Sequence, residues 1–246
     1  MCTHLVGMGI SDDWSFEEDA LRRNPSVRLL AIDGSVSTSR FGIVAITKLL
    51  HGLTQLVSGN VTDARRTLLE SKWSTATAVN FFQFFSADTR QFVKKMVSGE
   101  PSPKGITWRD ALTRLSVENG QARSIIVKMD IEGGEYAVLP QIFGSAKEVV
   151  AIIVEFHDCG SQWNDFEAVI EQVTNLFTIV HVHGNNYKPL IPGTQIPEVL
   201  EITLLRSDLL TAEDLLAPPF HEYPVAGLDM PNDATQKDYS LTFERA

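Results

Sequence analysis

Five short stretches hold the side chains of this chain that can do chemistry. Val6-Gly7-Met8-Gly9-Ile10 runs into Ser11, Asp12 and Asp13. Two glycines after a strand let the backbone approach a ligand closely, and a following helix offers free N–H groups. Asp33 closes the apolar run VRLLAID. An acid about 25 residues beyond such a turn can accept both hydroxyls of an adenosine ribose, although an Asp before Gly34 also suits a plain turn. Lys128-Met129-Asp130-Ile131-Glu132-Gly133-Gly134-Glu135 sets one base and three acids around paired glycines, and Glu155-Phe156-His157-Asp158 ends the run VVAIIV. Alternation along a strand puts Glu155 and His157 on one face. There His157 can deprotonate a hydroxyl near neutral pH. With Asp130, the pair can instead hold a divalent cation. His181-Val182-His183-Gly184-Asn185-Asn186 brings further polar groups, of which His183 and Asn185 can recognise a hydroxylated acceptor; Gly-Asn-Asn is also an ordinary turn.

The first two stretches suit nicotinamide adenine dinucleotide (NAD) and S-adenosylmethionine (SAM) alike. A dinucleotide site wants a third glycine so that backbone and helix can take a pyrophosphate. Here Asp12 holds that position, with Asp13 beside it, and acids repel phosphate. SAM carries a sulfonium and an ammonium and no phosphate, so these acids favour SAM.

The elements that must position these groups alternate between apolar β-rich runs and helical patterns, the signature of a mostly parallel sheet wound with helices on both faces. Strands are expected at Thr3–Ile10, Val27–Asp33, Ser124–Asp130, Val149–Phe156, Phe177–His183 and Val199–Leu205. Helices are expected at Ser15–Arg23, with Ser15 as N-cap and Glu18 as its partner, and at Phe41–Val57, Thr107–Leu115, Glu135–Phe143 and Asp165–Leu176. In Thr107–Leu115, Thr107 caps and Asp110 answers it. Ser58–Pro103 reads as one strand, Ala78–Phe85, with helical cover near Val61–Leu69 and Thr89–Val97. The tail 217–246 is expected to wrap the surface, with Tyr239–Phe243 as an edge strand. The whole, 1–246, reads as a single domain.

Net charge is −10, from 31 acids against 21 bases; this disfavours a nucleic-acid partner, which calls for a basic face. Two cysteines, Cys2 and Cys159, allow no disulfide framework and no CxxC metal pair, so a reducing, cytoplasmic setting is expected. The opening MCTHLVGMGISDD has no signal-peptide pattern, and no apolar run approaches the ~20 residues that span a bilayer. No membrane partner is expected, and the oligomeric state is left open.

KMDIEGGEYAVL, VEFHD and HVHGNNY, with the opening GMGISDDWSFE and the ending GLDMPND…YSLTF, resemble FkbM-like SAM-dependent methyltransferases. The resemblance covers both ends and most of Thr107–Ile202; KMDIEGGE is its specific part. It implies a Rossmann-like class I methyltransferase fold and O-methylation of a sugar or other small hydroxylated metabolite. It maps SAM contacts onto Gly7, Gly9 and Asp33, with Ile10 and Asp130 beside them. It sets the catalytic cleft at Asp130, Glu132, Glu155 and His157, and His183 and Asn185 near the acceptor. A family N-terminal cover helix is expected to be missing, because the first strand begins so close to Met1, and 58–103 offers no motif for the adenine contact. On this reading His157 is the base, while Asp130 and Glu155 either orient it or hold a metal. The competing readings are a catalytically silent methyltransferase-like binding module and a nicotinamide-dependent oxidoreductase.

Overall fold

A computed structural model describes residues 2–115, 124–211, 213–214 and 220–244. In chain order the elements are β1 (His4–Met8), α1 (Ser15–Arg23), β2 (Arg28–Ile32), α2 (Thr38–Val57), α3 (Val61–Phe84), β3 (Arg90–Val93), β4 (Met96–Val97), β5 (Gly105–Ile106), α4 (Trp108–Arg114), β6 (Ile125–Met129), α5 (Glu135–Phe143), β7 (Val149–Phe156), α6 (Trp163–Thr174), β8 (Phe177–Gly184), β9 (Leu200–Arg206), β10 (Phe220–Tyr223) and β11 (Leu241–Glu244). Seven strands form one sheet in the order β3-β2-β1-β6-β7-β9-β8, and β4–β5 and β10–β11 form separate pairs. The pairs from β3 to β7 run parallel, whereas β9 lies antiparallel between β7 and β8.

Alternation along the central strands feeds two cores. Val6, Met8, Leu30, Ile32, Val127 and Met129 face α4, α5 and α6 in one, and Leu5, Leu29 and Ala31 face α1 and the end of α3 in the other. The chain leaves β1 toward β2 and β3, then returns on β1's other side as β6. Ligands bind at such a switch point, outside the carboxyl ends of the strands.

Most of the elements read from the sequence are present, and Thr107 with Asp110 forms a complete capping box on α4. Four readings are corrected. Ser15 is the first helical residue of α1, not its cap; Trp14 precedes it without a side-chain cap bond, and the Asp13 carboxylate accepts the Ser15 N–H at 2.9 Å. Ala78–Phe85 is helical as far as Phe84, the end of a 24-residue α3 capped by Asn60. The β-rich composition of that stretch is overridden by three- and four-residue spacing: Phe81 and Phe84 fall on one face and pack on Trp14 at 5.4 and 6.2 Å. Thr89–Val97 holds β3 and β4 rather than a helix. In the tail, Leu241–Glu244 pairs with β10 and not with the edge of the main sheet; positions 217–219 and 245–246 lie outside the described residues.

Phe81 also stacks near Phe41, Phe85 and Phe92, at 5.6, 4.8 and 4.9 Å. Phe81→Ala is therefore expected to cost about 3–5 kcal/mol of unfolding free energy, measured by denaturant titration. A loss below about 1 kcal/mol would mean that α3 is not docked through this residue.

Candidate functional site

Gly9 fixes the geometry of the switch point. Its φ is +75°, a conformation that favours glycine, and a Cβ there would run into the Asp130 carbonyl oxygen. Its N–H donates to the Ile32 carbonyl at 2.9 Å, and the Asp130 N–H donates to the Met8 carbonyl at 3.0 Å. The ends of β1, β2 and β6 are thereby held together. Lys128 adds a bond from its ammonium to the Gly9 carbonyl at 3.1 Å and stands 3.6 Å from Asp130. Among the described residues, three non-glycine residues have positive φ: Ser11 after β1, Glu132 after β6 and Asp158 after β7. All three sit at the carboxyl edge of adjacent strands, where strained backbone accompanies function.

The β6–β7 register sets Met129 against Val154, which places Asp130 beside Glu155. Asp130, Glu155 and His157 each offer a ligand atom within 4.8 Å of the others. The His157 ring is held from both sides: Nδ1 lies 3.1 Å from Glu135 Oε1, and Nε2 lies 3.6 Å from Glu132 and 3.8 Å from Asp130. Glu135, 0% exposed, uses the same oxygen to accept the Ile131 and Gly133 N–H groups at 3.1 and 3.3 Å, so one buried acid ties the paired-glycine turn to the imidazole. The Tyr136 hydroxyl donates to the His157 carbonyl at 2.6 Å and fixes the strand end. Burial pulls the His157 proton off, but the Glu135 hydrogen bond and the charges of Glu135, Glu155 and Glu132 outweigh it and lift the pKa to about 9. Burial also pushes Glu155 up, against the hydrogen bond it receives from Asn185 at 2.7 Å.

The other sequence candidates fall as follows. Gly7 lets Glu17 of α1 pack beneath the turn; a Cβ there would meet the Glu17 carboxylate. Glu17 is 1% exposed, both its oxygens lack a partner, and burial raises its pKa. Ile10 is buried in the core beneath α1, so its side chain is removed from any ligand. Asp33 is 7% exposed. Its carboxylate accepts from the Ser11 N–H at 2.9 Å, the Ser35 N–H and hydroxyl at 2.6 Å each, and the Val36 N–H at 3.2 Å. The acid read as a ribose ligand builds the turn between β2 and α2. Glu132 stands exposed at the mouth. His183, read as an acceptor contact, is a clip: it is 4% exposed, with Nδ1 3.2 Å from Glu201 and Nε2 3.0 Å from Asp238 of the tail. Asn185 likewise serves Glu155 rather than open space.

One feature of the site had no signal in the sequence reading. A cavity of about 810 Å³ opens between the ends of β1 and β2, at Ser11, Asp12, Ser35 and Val36, and the α2–α3 hairpin, at Phe41, Lys48, Arg65, Arg66 and Trp73. It adjoins the glycine turn on the side away from the acid–histidine cluster, none of whose residues line it.

No protein-family model matches the chain, and no curated protein matches it. Among solved structures, it is similar to the precorrin-6y C5,15-methyltransferase of Geobacter metallireducens GS-15, at 9% identity and a TM-score of 0.39 over 83% of this chain and 82% of that one. It is also similar to a variant of the 16S rRNA (adenine(1408)-N(1))-methyltransferase of Catenulisporales acidiphilia, at 14% identity and 0.31 over 83% and 85%. A third is a protein of the NADB-Rossmann superfamily from Streptococcus agalactiae, at 10% and 0.33 over 83% and 62%. At these scores the functional reading rests on the chain's own residues. The fold itself is a Rossmann-like α/β fold of the class I methyltransferase type: with the small β4–β5 pair set aside, the seventh strand lies antiparallel between the fifth and sixth. In the dinucleotide order 3-2-1-4-5-6 the fifth and sixth are neighbours.

The His183 clip titrates. The Glu201 hydrogen bond raises its pKa from 6.5 to about 9, burial opposes, and Asp238 adds to the rise. A raised histidine stabilises the fold fully below its unfolded value and loses that contribution as pH climbs through the folded one. Unfolding free energy is expected to fall between pH 6.5 and 9, and His183→Gln to remove on the order of 2 kcal/mol of that fall, leaving the part due to His157. An unchanged slope in the variant would remove His183 from the account.

Proposed function

We propose that this chain is a SAM-dependent methyltransferase that methylates oxygen on a sugar or other small hydroxylated metabolite, with kinship to the FkbM-like enzymes. The observation that carries the proposal is the inserted antiparallel β9 together with an acid-rich glycine turn at the β1–β6 switch point. Asp13 supports the choice of cofactor: it already holds the N–H of Ser15 at the start of α1, a group that a pyrophosphate would otherwise use. Gly9 and Gly7 leave the backbone bare where the cofactor would lie, and the cavity beside Ser11 and Ser35 has the size of a small-ligand site.

SAM supplies an electrophilic methyl on a sulfonium; as the new C–O bond forms, the C–S bond breaks and neutral thioether leaves. The protein's part is alignment and removal of the hydroxyl proton. With its pKa lifted to about 9, His157 keeps its proton near neutral pH, so the role of base passes to its neighbour Glu155, which burial makes a better proton acceptor than an ordinary carboxylate. The His157 imidazolium, braced by Glu135, then keeps Asp130 and Glu132 turned into the cleft. The same three groups fit a cation as well: two carboxylates and an imidazole suit Mn²⁺ or Zn²⁺ better than Mg²⁺. Asp130, Glu155 and a neutral His157 would hold it, and a cation there would supply Lewis-acid polarisation of the acceptor oxygen.

The test is incubation with methyl-labelled SAM and a metabolite pool, followed by mass spectrometry. A labelled product ether is expected, and Glu155→Gln is expected to cut its formation by about 10²–10⁴-fold. Activity that survives EDTA assigns the cluster to proton transfer, and activity restored only by Mn²⁺ or Zn²⁺ assigns it to the metal. No transfer to any acceptor, with SAM bound, would favour a silent binding module.

A further inference from the structure

The α2–α3 hairpin has two sides. One lines the cavity beside the glycine turn. The other is bare. On α2, Ile43, Ile46, Leu50, Leu53 and Val57 are 64%, 60%, 58%, 46% and 91% exposed, and Leu49 and Leu56 widen the same face. The spacing runs three, four, three, four, the apolar seam of a helix made to pack on another helix. Within the chain, the face that is covered runs through Ala45 and Gly52, and it meets α3; a Cβ at Gly52 would come within 2.7 Å of Leu68. Extensive packing on α2 comes from α3 alone among the described elements.

We infer that this seam is a self-association surface: two copies of the chain pair their α2 helices about a two-fold axis, with the four hairpin helices forming a bundle. Three observations select a second copy. First, the seam carries no charge. Lys48 lies on the far side, 3.2 Å from Glu70 of α3, and Arg40 is bonded to the Ser35 carbonyl. A charge-free strip meets itself without like charges opposed, and gives an acidic or basic partner nothing to recognise. Second, the spacing asks for a helix of matching period, which the copy presents. Third, the size suffices. Seven large apolar side chains, 42–91% exposed, lie along a 20-residue helix about 30 Å long, a patch of the order of the ~800 Å² per partner of a standard interface. A lipid surface fits less well. Interfacial helices line their polar side with Lys and Arg, whereas the two basic residues of α2, Arg40 and Lys48, are both engaged within the chain, by the Ser35 carbonyl and Glu70, in a chain of net charge −10. Pairing here would brace the cavity's hairpin wall from behind.

The test is sedimentation equilibrium of the full chain at 1–100 μM, about the range in which interfaces of this size act. The wild type is expected at twice 27.3 kDa. Ile46→Glu with Leu50→Glu, both on the exposed face, is expected to weaken the dimer at least about 100-fold and give a monomer with an unchanged circular dichroism spectrum. His51→Glu, an exposed position about a quarter-turn off the seam, is expected to leave the dimer intact. A monomeric wild type overturns the inference on its own, even if the seam variant fails to fold. A folded seam variant that stays dimeric overturns it too. A monomeric wild type that pellets with phosphatidylcholine–phosphatidylserine vesicles would assign the face to lipid instead.

Discussion

The site depends on one close approach, that of the backbone ends of β1 and β6 at Gly9 and Asp130. Parallel strands leave their carboxyl-end N–H and C=O groups to be satisfied by whatever follows. Here the strands satisfy one another: Gly9 bonds to β2 and Asp130 bonds to β1. A side chain at position 9 would push them apart. Ser11, Glu132 and Asp158 adopt left-handed backbone at three adjacent strand ends around this approach. Those turns present Asp130, Glu132 and the β7 end to one small space.

Charge shapes that space as much as backbone does. Asp130, Glu132, Glu135, Glu155 and His157 crowd together, and two cations, the His157 imidazolium and the Lys128 ammonium beside Asp130, let the acids stay close. Glu135 is wholly buried with one oxygen unpaired, and Glu17 is buried with none paired. Such desolvated acids cost stability unless they are protonated or meet a positive charge. A sulfonium, a bound metal or a trapped proton each answers the same electrostatic demand, and for that reason the cluster reads as a site rather than as packing.

Much of the sheet was legible because its strands are buried on both faces and read as unbroken apolar runs: RLLAI, IIVKM and VVAIIVEF. The close pairing of Glu155 with His157, and of both with Asp130, followed from period-two alternation and the expectation that β6 and β7 are neighbours. Two things were hidden. Ala78–Phe85 carries strand-like residues on a helix because tertiary packing of Phe81 and Phe84 overrides propensity. Histidine roles were hidden as well. Alternation puts His181 and His183 on one face, but only the folded tail shows Asp229 2.7 Å from His181 and Asp238 against His183. A residue's partners from 48 and 55 positions away leave no mark on local pattern.

The central claim is that the switch point is built for a sulfonium cofactor and closed to a pyrophosphate. Calorimetric titration of the full chain with SAM and, separately, with NAD tests it most directly. One saturable site for SAM, with no heat from NAD up to about 1 mM, a ceiling near −4 kcal/mol of binding free energy, is the predicted result. Saturable binding of NAD with none of SAM would contradict the account.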